Sequence, residues 1–442
     1  MMPRAGRFLA GLAEPFHAAT SISTPTLPVR LTLDILVLFR RAGSSGSHTR
    51  FSPSIPEWLH AAALIALAVV TGLVGWSGNV LAVPVAFVFP ALWAFSRSRL
   101  IAAAVSAAYF LAASRGLPQG VANFYASDLW PGLLLWFAAS LSFVAVHAAL
   151  WTQRPGKGRA VRYSAAAVLM ALPPFGIVGW AHPITAAGVV FPGWGWWGMA
   201  AAAAGLVAMT TRWWPTASIA VGGLWLWSAA TWTPPSLPEG WTGVDLQLGQ
   251  TLGRDISLDH HRDLIATVKR AANEDGIRFL VLPESSLGFW TPTVERLWRG
   301  GLSGTTVTVI AGAAIVEPDG YDNVLVAISA ATSTVLYRER MPVPVSMWQP
   351  WLTLFGESGG ARAHFFANPA VDIDGRKIAP LICYEQLIVW PVLQSMLHGP
   401  DLIVATGNGW WTAGTSIVAI QKASAEAWAQ LFGLPLVTAF NI

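Results

Sequence analysis

Apolar positions divide the chain into two halves of different character. In the first half they form long runs at about 57–76, 79–95, 100–115, 129–151, 163–181, 196–212 and 215–232. A helix needs about 20 predominantly apolar residues to cross a bilayer. The pattern therefore predicts a multi-span α-helical membrane domain of about seven helices over residues 57–232, with six or eight as the alternatives. Residues 1–56, which hold Arg, Ser and Pro without a regular period, are expected to form an irregular cytoplasmic segment.

The second half has shorter periods and follows a Pro-rich linker at residues 233–240. Strand-like segments are predicted at 244–248, 278–282, 305–311, 324–329, 334–337, 378–382, 402–405 and 434–439. Helical spacing is found at 260–273 and at 416–431. Strands that alternate with helices favour a layered α/β sandwich, so residues 241–442 are predicted to form one such domain.

Charge adds an orientation to this picture. Only 11% of residues are charged, against about 25% in a typical soluble protein. Arg and Lys concentrate in the N-terminal segment and in the even-numbered connectors, so the positive-inside rule places the N-terminus in the cytoplasm. Seven spans would then place the sandwich domain in the periplasm. No basic stripe interleaved with aromatic residues is present, and we expect no direct nucleic-acid binding.

The candidate chemistry lies at two predicted strand ends. Cys383, the single cysteine of the chain, follows an apolar strand in Leu381-Ile382-Cys383-Tyr384-Glu385, and Glu284 ends Leu280-Val281-Leu282-Pro283-Glu284. A thiol beside a carboxylate that accepts its proton is suited to acyl transfer through a thioester. The alternative for Cys383 is a small buried hydrophobe, and for Glu284 a capping or salt-bridged surface acid. A single cysteine excludes an intramolecular disulfide and a Cys-based zinc site, and we expect neither a metal nor a cofactor.

These two motifs resemble the nucleophile and general base of the nitrilase (carbon–nitrogen hydrolase) superfamily. The preceding apolar runs narrow the resemblance to the branch similar to apolipoprotein N-acyltransferase. Within that branch, Arg340-Met341-Pro342-Val343-Pro344-Val345 resembles the conjugal transfer TraB proteins of plasmid-bearing bacteria. The resemblance covers residues 57–442 and implies an αββα sandwich behind a multi-pass domain in the bacterial inner membrane.

The resemblance also assigns further site residues. In the resembled family, the position of Glu385, on the turn after the nucleophile, also carries Glu. The alternative is that Glu385 is a solvent-exposed acid of that turn. Tyr384, Asn408 and Trp410 are the candidates to line the pocket, although a structural turn at Asn408 and Trp410 is an equal alternative. If the protein is active, the resemblance implies a membrane lipid or an acylated donor as its partner.

One departure from the family concerns its third catalytic residue, a Lys that precedes the Val-Pro pair. Alignment on Tyr337 and Val343-Pro344 places Glu339 at that position. Arg338 or Arg340 would then have to supply the positive charge, although the forked guanidinium is a poor copy of a point charge.

Two smaller departures follow. The family's Phe-Gly-Glu occurs later here, as Phe355-Gly356-Glu357, and the nitrilase-like domain is expected to be C-terminally short, without a closing membrane helix. Two interpretations stay open. The first is an N-acyltransferase or amidase that acts through a Cys383 thioester, including a soluble-type amidase merely anchored to the membrane. The second is a catalytically degenerate scaffold that contacts proteins of the conjugation machinery.

Overall fold

The computed structural model describes residues 56–247, 249, 257–356 and 360–442. The predicted irregular segment therefore lies outside the described residues except for Pro56, as do Glu357 and the end of the strand predicted at 244–248. Residues Pro56–Ile442 form one compact unit.

The first half of this unit is helical. Its α-helices are α1 (Glu57–Gly75), α2 (Phe89–Phe95), α3 (Arg99–Ala113), α4 (Leu117–Tyr125), α5 (Leu129–Leu150), α6 (Lys157–Ala171), α7 (Ala187–Val190), α8 (Gly195–Ala208) and α9 (Trp214–Thr231). Short 3₁₀ helices lie at Val80–Val88, Phe175–Val178 and Pro183–Ala186. Each apolar run of the sequence thus contains helix.

Few of these helices have the length of a membrane span. By length and composition, α1 and α5 would cross a membrane, and α3 with α4 would form a third span if the pair, bent by 50°, is counted as one. The expected seven full-length spans are therefore reduced to two or three among the described residues. Among the others, a 3₁₀ segment interrupts the run before α2, α6 is short and contains charged residues, and α8 has only 14 residues.

Among its described residues, the second half contains two sheets and four α-helices. The strands are β1 (Trp241–Gly243), β2 (Phe279–Val281), β3 (Thr308–Glu317), β4 (Gly320–Ile328), β5 (Ser333–Arg338), β6 (Val371–Ile373), β7 (Arg376–Ile382), β8 (Leu402–Asn408) and β9 (Leu436–Asn441). The helices are α10 (Leu258–Asp275), α11 (Pro292–Gly301), α12 (Val389–Met396) and α13 (Ile417–Phe432).

Parallel and antiparallel pairing is mixed in both sheets. The first has the order β1-β2-β3-β4-β5, with parallel pairs as far as β3 and antiparallel pairs after it. The second has the order β6-β7-β8-β9, with one antiparallel pair followed by two parallel pairs. The carboxyl ends of β2 and β7, where the candidate acid and thiol follow, each lie beside a parallel neighbour.

The side chains of the strands alternate between two apolar layers. Phe279 and Val281 pack between the two sheets together with Ile378 and Ile382 of β7. Leu280 points the other way and packs with α10 and α11. The outer face of the second sheet packs against α12 and α13. Since alternate residues of a strand face opposite sides, this pattern produces an αββα sandwich.

The sandwich and the helical half share one core. Leu381 and Ile403 of the second sheet belong to the same apolar cluster as Trp93 and Phe110 of the helical half. The backbones approach closely at Gly188, where an added Cβ would lie 1.6 Å from the carbonyl oxygen of Ala427 in α13. The two halves are therefore held together by direct packing and not by the exposed Pro-rich segment at 233–240 alone.

Candidate active site

Cys383 sits at a sharp turn between β7 and a 3₁₀ helix, Cys383–Leu387. Its φ of 48° places it in the left-handed region, which costs a non-glycine residue about 1–2 kcal/mol. The residue is only 5% exposed, and Gln421 Nε2 of α13 lies 3.6 Å from its Sγ. The turn directs the thiol away from the strand and toward α13.

Glu284 follows β2 by three residues and also precedes a left-handed residue, Ser285, with φ of 62°. Strand β3 runs directly beneath it, because a Cβ added at Gly312 would lie 2.4 Å from the Glu284 Cα. The Gly312 amide donates to the carbonyl of Pro283 over 3.2 Å. Glycine at this position lets the strand approach the acid-bearing turn closely.

The Glu284 carboxyl and the Cys383 thiol lie in the wall of one cavity, and each affects the protonation of the other. The carboxyl accepts hydrogen bonds from Asn323 Nδ2 at 2.8 Å and from the Asn408 backbone N–H at 3.0 Å. Burial raises the pKa of Glu284, and these donors oppose the rise. Burial raises the pKa of Cys383 well above its ordinary value, and the Glu284 and Glu339 carboxyls raise it further when they are ionised. The resting pair is therefore a thiol facing a proton acceptor.

Glu339 lies on the far side of Asn323. The same Nδ2 atom donates to Glu339 Oε2 at 2.8 Å, so one amide group joins the two carboxyls. Glu339 is fully buried, and its Oε1 has no hydrogen-bond partner among the described residues. Burial raises its pKa well above the ordinary range, with further contributions from Glu284 and Glu385. The position that the resemblance assigns to a Lys thus holds a buried acid.

Glu385 fastens the nucleophile turn to the end of β5. It accepts from Tyr337 Oη at 2.7 Å, from the Arg340 N–H at 2.7 Å and from the Ile382 N–H at 2.9 Å. The Arg340 Nε is 3.7 Å from the Glu385 carboxylate. Burial raises the pKa of Glu385, while Arg340 and the N–H donors oppose this. Its carboxyl is occupied by these contacts and does not line the cavity described below.

Neither arginine offered by the sequence faces the thiol. Arg340 is fully buried and donates to Tyr337 Oη, to the Pro391 carbonyl and to Ser395 Oγ. Arg338 pairs with the buried carboxylate of Asp322. Neither arginine is among the residues that line the cavity beside Cys383.

Cys383 and Glu284 lie in the wall of a cavity of about 780 Å³. Tyr384, Asn408 and Trp410, the predicted lining residues, border it as well. The helical half contributes a large part of the wall. Its lining residues include Trp76, Leu117, Val121, Phe124, Leu135, Ala139 and Trp180. No Lys or Arg of the described residues lines this mostly apolar cavity.

Two residues of the site were not assigned from the sequence. Asn323 lies in a segment that matched the resembled family, and Gln421 lies in another, but neither was given a role. Their polarity inside apolar surroundings is the signal that would have found them. Among the described residues no cluster of three or more His, Cys, Asp and Glu side chains is arranged to hold a metal ion.

Comparison with known proteins gives a consistent family. The profile of the carbon–nitrogen hydrolase family matches residues 111–430. "Conjugal transfer protein TraB" of Agrobacterium fabrum is 68% identical over 86% of this chain and 92% of that protein. "Probable conjugal transfer protein TraB" of Sinorhizobium fredii is 64% identical over 85% of this chain and 96% of that protein. A solved mutant of an amidase from Nesterenkonia, of the nitrilase superfamily, is 15% identical over 47% of this chain and 79% of its own, with a TM-score of 0.35.

Proposed function

The chain belongs to the carbon–nitrogen hydrolase family, and from this we propose that it is a membrane-anchored acyl-transfer enzyme that supports conjugal transfer. Cys383 is the nucleophile and Glu284 the general base. The observation that carries the proposal is that the Cys383 thiol and the Glu284 carboxyl lie together in the wall of a large apolar cavity.

The reaction follows from this arrangement. The Cys383 sulfur attacks an acyl carbonyl as its proton passes to Glu284, so a C–S bond forms and the thiolate is never free. Glu284 then returns the proton to the leaving alcohol or amine as the C–O or C–N bond breaks. An incoming amine or water gives its proton to Glu284 and attacks the thioester, which restores the thiol.

The cavity supports a long apolar acyl group. Its wall combines the nucleophile with side chains of α4 and α5, such as Val121 and Leu135. We place α1 and α5 across the bacterial inner membrane, on their length and composition. A lipid acyl chain would then enter the cavity from the bilayer and reach Cys383. The periplasmic side is proposed with the bent pair of α3 and α4 as a third span, because an odd number of crossings from a cytoplasmic N-terminus ends in the periplasm.

The link to conjugation rests on relatives. Two proteins with more than 60% identity over most of their length carry the name of a conjugal transfer protein. A role in the conjugation machinery, with partners among its proteins, is proposed on that similarity.

The test is covalent labelling of Cys383. Full-length protein in membranes is incubated with a long-chain acyl fluorophosphonate or an activated thioester probe, and the adduct is located by mass spectrometry. We expect labelling of the wild type, none in Cys383→Ala, and a reduction of about 100-fold or more in Glu284→Gln, since general bases typically contribute about 10²–10⁴-fold.

The matched control is Glu239→Gln, which makes the same chemical change at an exposed turn and should label as the wild type does. A wild-type thiol that ignores acyl probes but is alkylated once the protein is unfolded would refute the proposal.

A degenerate scaffold is the second candidate, and one observation favours it. Glu339 replaces the cation of the resembled family, and its charge would raise the thiol pKa further. If Cys383→Ala protein supports plasmid transfer at the wild-type frequency, the scaffold is the correct function.

A further inference from the structure

Two buried carboxyls meet at one amide group in this site, and they are not equivalent. Glu284 accepts hydrogen bonds from Asn323 and from the Asn408 backbone. Glu339 accepts only from Asn323, and its Oε1 has no partner among the described residues. Hydrogen bonds from N–H donors favour the ionised form of a carboxyl, so the negative charge belongs on Glu284.

An ionised Glu339 would be costly. The side chain is 0% exposed, and an unpaired charge in such a place normally takes up a proton instead. The charged and titratable groups around it offer no counter-charge. The acids Glu284 and Glu385 and the Cys383 thiol act on it, while the two adjacent cations pair elsewhere, Arg338 with Asp322 and Arg340 with Glu385. His364 donates its backbone N–H to the Glu339 carbonyl, and its ring pairs with Asp322 instead.

We infer that Glu339 is held as a neutral carboxylic acid and acts as a positioning residue, orienting Asn323 so that Glu284 is the one ionised carboxylate beside the thiol. The inference rests on the proposed function, since it assigns a role within that site. Glu339 does not line the cavity, whereas Asn323 does, so its influence on the reacting atoms passes through this amide. The substitution of an acid for a cation then leaves the site with a single negative charge rather than two.

The test uses the fact that Cys383 is the only thiol of the chain. The rate of alkylation by iodoacetamide is measured against pH in the folded, full-length protein. Removing a negative charge near a thiol lowers its pKa, and one unit corresponds to about a tenfold higher thiolate fraction at neutral pH.

We expect Glu339→Gln, a neutral isostere, to leave the midpoint of the pH profile within about half a unit of the wild-type midpoint, and Glu284→Gln to lower it by about one unit or more. A shift of one unit in Glu339→Gln would mean that Glu339 is ionised and would overturn the inference. An unchanged midpoint in both variants would overturn it too, because neither carboxyl would then carry the charge. Glu295→Gln, at the surface ion pair with Arg299, controls for the substitution itself.

A second measurement covers the case in which Glu339→Gln does not fold. The infrared C=O stretch of a protonated carboxylic acid should be present at neutral pH in the wild type and in Glu284→Gln. Its absence from both would refute a neutral Glu339. Neither measurement needs turnover, so a wild-type protein that resists acyl probes would remove the proposed function while these results still decide the charge of Glu339.

Discussion

Glu385→Gln removes the carboxylate that ties the nucleophile turn to the end of β5. In the wild type this group accepts from Tyr337 Oη, from the backbone N–H groups of Arg340, Met341 and Ile382, and faces the Arg340 guanidinium. Both members of the ion pair are 0% exposed. Gln has nearly the same shape as Glu, but its NH₂ group would face the O–H and N–H groups that donate to the carboxylate. It also leaves the Arg340 guanidinium without a counter-charge.

The expected loss is large for a single isosteric change. Removing one partner of a buried pair costs about 3–5 kcal/mol, because the remaining charge is left uncompensated. Each donor that loses its acceptor adds a cost of about 1–3 kcal/mol unless it moves. We therefore expect the free energy of unfolding to fall by at least about 3 kcal/mol, out of a typical total of about 5–15 kcal/mol.

The assay again uses the single thiol. Cys383, 5% exposed, is alkylated in detergent at graded denaturant concentrations, and the midpoint of its exposure is compared between variants. Glu295→Gln is the control, since its partner Arg299 is 3.6 Å away and 41% exposed, and such surface pairs contribute about 0–1 kcal/mol. The double variant Glu385→Gln with Arg340→Met should recover much of the loss. A loss below about 1 kcal/mol in Glu385→Gln would refute the structural role.

Two further predictions concern packing and pH. Gly188→Val should prevent accumulation of folded protein in membranes, since even a Cβ would lie 1.6 Å from the Ala427 carbonyl oxygen. Gly222→Ala is the control, because a Cβ added there would have no atom within 4 Å. Normal folding of Gly188→Val would contradict the close approach of the two backbones. The free energy of unfolding should fall as pH rises above the ordinary carboxyl pKa of 4.5, because Glu284 and Glu339 bind protons more tightly in the folded than in the unfolded chain. Denaturant unfolding measured at a series of pH values checks this. If the free energy of unfolding of Glu339→Gln falls with pH as steeply as that of the wild type, the prediction is contradicted.

The fold was largely predictable where the local pattern of apolar positions matches the residues that are buried in the structure. The hairpin predicted at 324–329 and 334–337 lies within β4 and β5, and the helix at 416–431 overlaps α13. The pattern missed α11 and α12, which are short and begin near a Pro, and β6, three residues long at a sheet edge. In the helical half, apolarity predicted helices but not their breaks, which depend on how they pack.

The candidate site was predictable only in its sequence-local parts. Cys383 and Glu284 follow buried strands of different sheets, β7 and β2, and the packing of the two sheets brings these strand ends together. Asn323 joins Glu284 to Glu339 from a third strand, and that contact depends on strand register, which no short motif reveals. Arg340 was a candidate to replace the family's Lys because it is adjacent in sequence to Glu339. Neighbouring residues of an extended chain, however, point to opposite sides. Its guanidinium accordingly meets Glu385 rather than the thiol.

The distribution of charge bears on how such a site would work. The buried cation nearest the nucleophile is neutralised by Glu385, and no Lys or Arg lines the described cavity. An oxyanion formed on a bound acyl group would therefore depend on neutral donors, of which Gln421 Nε2, 3.6 Å from Sγ, is one. Neutral hydrogen bonds are roughly half as strong as charged ones, but donors fixed in an apolar, water-poor cavity need no reorganisation during the reaction.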